Sequence, residues 1–92
     1  MNNLTKFKKI TDEMYKTYKA KNADYGDSFV KVREEYPEAI IIRLMDKLER
    51  LKALYKNGYT PKVDESIEDT LKDMANYAIM ELVERKIEKG EG

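Results

Sequence analysis

Glu65-Ser66-Ile67-Glu68-Asp69-Thr70-Leu71-Lys72-Asp73-Met74-Ala75-Asn76-Tyr77-Ala78-Ile79-Met80 reads as a helix. At about 3.6 residues per turn it places Glu65, Asp69, Asp73 and Asn76 in one row. The row continues through Met80, Val83 and Ile87, which are apolar. A solvated face does not usually turn apolar halfway along, so the spacing predicts a row that faces other protein throughout. Carboxylates are costly to bury unless paired with cations or a metal. The N-terminal half of this row is therefore the first candidate for a site.

Working outward, Leu4, Phe7, Met14 and Tyr18 recur at helical spacing, with Ile10 beside them, and predict a first helix over about residues 4–21. Asn22-Ala23-Asp24-Tyr25-Gly26-Asp27-Ser28 predicts a turn, because Asn, Asp and Gly favour turns. A short helix over 28–36 follows, capped by Ser28 or Asp27. Pro37 opens a third helix to about Lys56, stopped by Asn57-Gly58. Tyr59 to Asp64 forms a connector, and the last helix covers 65–89. No segment alternates with the period of a strand. The expectation is an all-α, compact four-helix bundle-like subunit with one short helix, in a single domain over residues 1–92.

The third helix carries Leu44, Leu48, Leu51 and Tyr55 in one stripe with Ile41 and Met45 beside it. The last carries Ile67, Leu71, Met74, Ala78 and Leu82. Helices apolar around much of their circumference are central elements that contact the rest of the subunit and a second subunit. With 92 residues, 41% hydrophobic and 39% charged, the chain is near the lower size for one sufficient core. Completion by a homo-oligomer, dimer or higher, is expected.

Eighteen basic and eighteen acidic residues cancel, so long-range attraction to nucleic acid is not expected. Cysteine is absent, which fits a reducing cytosol. Histidine is absent too, so any metal would be held by oxygen, favouring magnesium or manganese over zinc. No signal peptide or membrane-length apolar run is evident, and a soluble, cytoplasmic protein without a membrane partner is expected.

Asp46 and Glu49 interrupt an apolar row of the third helix at i,i+3, close enough to reach one point. Asp69 and Asp73 stand at i,i+4 on the last helix, and a helical hairpin would bring the two pairs face to face. With Glu65 as an additional ligand, these acids would suit magnesium. The alternative is that the helix dipole favours the early acids and that Asp46 and Glu49 pair with nearby Lys or Arg. Arg43, Lys47 and Arg50 form a basic stripe that suits phosphate oxygens, or else surface ion pairs. Tyr25 and Phe29 offer stacking surfaces for a nucleobase, with Asp24, Ser28 or Asn76 reading its edge. The alternative is a capped turn whose aromatics enter the core.

Three ordered blocks carry a resemblance: Lys21-Asn22-Ala23-Asp24-Tyr25-Gly26-Asp27-Ser28-Phe29, then Arg43-Leu44-Met45-Asp46-Lys47 with Arg50-Leu51, then residues 65–80. Together they resemble the phage and prophage family called the nucleotide modification associated domain, type one. More distantly, the arrangement looks like the MazG-type all-α nucleoside triphosphate pyrophosphatases, which hold magnesium on Glu-x-x-Glu and Glu-x-x-Asp motifs of successive helices. Asp46-x-x-Glu49 is similar to the first motif and Asp73 to the end of the second, whereas Thr70 stands where that motif has Glu. The resemblance implies a phage-type nucleotide-metabolism protein, with magnesium-dependent cleavage of a nucleotide to its monophosphate and pyrophosphate as the leading expectation. The alternatives are a non-catalytic protein that sequesters a nucleotide or nucleotide-derived signal, and a purely structural helical interaction module.

Overall fold

In the computed structural model, residues 2–91 are described, except for the side chains of residues 22–27. Three helices make up the described chain: α1 (Asn2–Glu35), α2 (Ala39–Lys56) and α3 (Pro61–Glu88). The all-α class stands. The segments expected as separate helices on either side of residue 25 are joined in α1, which runs through the expected turn.

The real punctuation lies elsewhere. Pro37 cannot donate a backbone hydrogen bond, and α1 ends before it; the Ala39 amide then closes a turn onto the Tyr36 carbonyl at 2.9 Å. Asn57 and Gly58 end α2 as expected, with Gly58 at φ 82°, a left-handed geometry that favours glycine. The Thr60 side chain then accepts a hydrogen bond from the Val63 amide at 3.2 Å, and Pro61 occupies the first turn. Thr60-Pro61 is a strong helix-start signal. It moves the beginning of α3 into the stretch expected to be a connector.

α2 and α3 form an antiparallel hairpin, aligned by Ala39 beside Met80, Arg43 over Tyr77 and Lys47 beside Asp73. α1 runs in the same sense as α3, and its last turns cover the hairpin with Phe29. Phe29 is buried with Ala39 and Met80, and Tyr18, Val32, Ile40 and Tyr77 pack around them. Burying a phenyl ring this fully is worth roughly 2–3 kcal/mol. Its ring lies 5.9 Å from that of Tyr77, tilted by 56°. The expected apolar row of α1 is only partly used: Met14 is buried, whereas Leu4 and Phe7 are exposed. In α3 the buried face centres on Ile67, Thr70 and Met80, leaving Leu71 and Leu82 of the expected stripe about half exposed.

The C-terminal end of α1 is fixed by one arginine. Nε and Nη2 of Arg33 donate to the two carboxylate oxygens of Glu81 at 2.9 and 3.1 Å. Nη1 and Nη2 donate to Glu88 at 2.9 Å each. The Arg33 and Glu81 side chains are only 11% and 12% exposed, so this fork-shaped double clasp joins α1 to α3 at the edge of the core. The hydrogen bonds to Glu88 and Glu81 raise the guanidinium's pKa further, and Arg33 in turn lowers that of Glu88.

Candidate functional site

The row of Glu65, Asp69, Asp73 and Asn76 does face protein along part of its length, but the neighbour is α1. Asp69, Lys72, Asp73 and Asn76 of α3 form one wall of a polar cleft, opposite Glu13, Thr17 and Lys21 of α1, with Met14 at its floor. The cleft encloses about 380 Å³, within the range of small-molecule sites. It lies between α1 and α3 rather than between the two hairpin helices, and Ile67 and Thr70 of α3 are buried. Further along the row Met80 enters the core, whereas Val83 and Ile87 stay exposed.

A second, more apolar groove adjoins the first. Ile10 and Met14 of α1 face Leu71 and Ala75 of α3, and Lys6, Lys9, Glu13, Glu68 and Lys72 rim a space of about 500 Å³. Glu13, Met14 and Lys72 belong to both spaces. Together they make one groove between α1 and α3, polar at the Asn76 end and lysine-rimmed at the Lys6 end.

The α2 residues divide by side. Arg43 and Lys47 turn toward α3: the Arg43 guanidinium carbon lies 5.9 Å from the Tyr77 ring centre, and Lys47 Nζ lies 3.2 Å from Asp73 Oδ2. Arg50 is exposed. Asp46 and Glu49 are exposed as well, and Glu49 accepts from Lys52 Nζ at 3.1 Å. The acid pairs of α2 and α3 therefore do not face each other within the chain. Asp73 meets the basic stripe of α2 instead, and the ion pair links α2 to the α3 wall of the cleft.

No group of three or more carboxylates among the described residues is placed to hold a metal ion. Asp69 and Asp73 share a wall, but Glu65 is exposed a turn away and Asp46 and Glu49 lie on another helix. Thr70 is 2% exposed, and its hydroxyl donates to the Ser66 carbonyl at 2.7 Å. An acid at this position would be buried. The described side chains of one chain do not fit a magnesium centre.

Of the residues expected to bind a base, Asn76 lines the cleft and Phe29 does not. Phe29 is 1% exposed in the core, so its ring has no face to offer a ligand; this corrects its assignment. Ser28 is exposed just before it. Asp24 and Tyr25 lie outside the described side chains. Sequence reasoning missed Glu13, Thr17 and Lys72. The signal was available for the first two: they share the α1 face of Ile10 and Met14, so polar residues interrupt that apolar row much as Asp69 and Asp73 interrupt the row of α3.

Fold and groove together define a small all-α protein with a polar cleft between its first and last helices. Residues 21–84 match the family model described as nucleotide modification associated domain 1, and the chain belongs to that family. No curated protein matches, and no solved structure matches. The likeness to MazG-type enzymes has no support from these comparisons. The family segment covers α2 and most of α3 but begins at Lys21, so the Lys6–Thr17 wall of the groove lies outside it.

Proposed function

We propose that the chain binds a nucleotide, or a small nucleotide-derived molecule, along the α1–α3 groove. The observation that carries this reading is the polar cleft at Asn76, opening toward the lysine-rimmed groove in a member of a nucleotide-related family. The cleft's lining holds three carboxylates and two lysines, a poor match for a polyphosphate. It suits the base and sugar, whose donors and acceptors match the Asn76 amide, the Thr17 hydroxyl and the carboxylates. Phosphate oxygens would extend toward Lys72, Lys9 and Lys6, where cations gather. In this reading Arg43 and Lys47 act on the ligand indirectly, by holding Tyr77 and Asp73.

Because the acids among the described residues do not converge, binding without turnover is preferred. The test is incubation with a panel of nucleosides, nucleotides and cyclic dinucleotides, with and without magnesium, followed by chromatography of solution and protein-bound fractions. An unaltered nucleotide that co-elutes supports the binder. It should be lost in Asn76→Ala, and weakened by about tenfold in Lys72→Ala. Appearance of monophosphate and pyrophosphate would instead establish magnesium-dependent pyrophosphohydrolysis and overturn binding alone. Absence of any saturable ligand would sink the nucleotide reading.

A further inference from the structure

The outer side of α2 carries a second apolar stripe that the subunit does not use. Ile41, Met45, Leu48 and Tyr55 are 57%, 59%, 43% and 62% exposed. With Lys52 they recur at spacings of four, three, four and three, the period at which one helix packs along another. The whole subunit shows the same deficit of cover. Its accessible surface is 7318 Å², whereas a 10.8 kDa monomer is expected to show about 5,500 Å². That excess is about twice the roughly 800 Å² per partner of a standard interface.

We propose that two copies of this chain pair through this stripe, α2 against α2 in antiparallel orientation, about a two-fold axis at Leu48. The sequence fits that symmetry. With Leu48 opposite its own copy, Ile41 meets Tyr55 of the second copy, and Met45 meets the aliphatic stem of Lys52. Antiparallel two-fold packing also brings each flank against the same flank of the partner. Glu38 at the start of α2 and Lys56 at its end lie on one flank, so each Glu38 meets the second copy's Lys56. The Glu38 side chain makes no capping hydrogen bond to its own helix. The helix ends are complementary too, since each N-terminus lies beside a C-terminus.

Sedimentation equilibrium of the full chain tests the pairing. A dimer is expected, and a wild type monomeric throughout the micromolar range would overturn the proposal. Leu48→Glu places two carboxylates at the two-fold axis and should raise the dimer dissociation constant by at least about 100-fold, with helicity checked by circular dichroism. An unchanged dimer would show that another face is used, and would equally overturn it. Glu38→Lys should weaken the dimer by about fivefold, and adding Lys56→Glu should restore it. Failure of that restoration, with both variants folded, rejects the antiparallel register.

Discussion

Arg33 is the residue on which the attachment of α1 most depends, because its guanidinium satisfies two carboxylates at once. Arg33→Ala leaves Glu81 at 12% exposure without that partner, and should destabilise the fold by about 3 kcal/mol in urea unfolding followed by circular dichroism. Arg33→Lys should recover little of this, since an ammonium cannot make the double fork. The contribution is pH-dependent in a definite sense. Arg33 lowers the Glu88 pKa, so the stabilisation from Glu88 is fully present above the ordinary glutamate value of about 4.3 and is lost as pH falls through the lowered one. The stability gap between wild type and Arg33→Ala should therefore narrow in acid. Thr70 makes the opposite point. Thr70→Val removes one hydroxyl bond and should cost no more than about 1 kcal/mol, whereas Thr70→Glu forces a carboxylate into a buried position and should cost about 3 kcal/mol. Equal losses in the two melts would mean that the site is not as dry as its burial indicates.

Among the elements, the hairpin was the most legible from sequence. The stop at Asn57-Gly58 and the helices on either side follow from a residue that tolerates positive φ and from 3.6-residue patterning. The start of α3 was misplaced because Thr60-Pro61, a cap and a first-turn proline, lies among residues otherwise read as a connector. Thr60→Ala should cost about 1 kcal/mol in thermal melts through the lost cap. Gly58→Ala should cost a similar amount through backbone strain alone, since nothing lies within 4 Å of the added methyl. The helical continuity of α1 was not legible, because local turn preference at residues 22–28 is a weak prior against long-range packing of Phe29 and Val32. Of the site, the α3 wall was readable from its acid-to-apolar row. The opposing wall was not, because single-helix periodicity says which residues share a face and nothing about which helix will cover it. The same limit let Asp46 and Glu49 be paired with Asp69 and Asp73, when Lys47 is the residue that reaches Asp73.

At the scale of the whole molecule, the radius of gyration is 14.9 Å, against about 12 Å for a compact domain of this length. The N-terminal half of α1 contributes to this extension: it buries Met14 and leaves Leu4, Phe7 and Tyr15 exposed. Exposed apolar surface on this scale marks an interaction face. If the cover is a second copy, folding and association are one equilibrium and stability must depend on protein concentration. A tenfold increase in concentration is worth about 1.4 kcal/mol per dimer, which for a pair of chains this size corresponds to a rise in Tm of about 4 °C. Calorimetry across two decades of concentration should show that slope for the wild type, and Leu48→Glu should melt at a lower Tm at every concentration. The groove residues Asn76 and Lys72 lie on α3, so Asn76→Ala should lose ligand and Lys72→Ala bind it more weakly while both keep the concentration slope. A flat wild-type response at a high Tm would mean that the three helices are sufficient alone, and that the exposed stripe of α2 carries no share of the fold's stability.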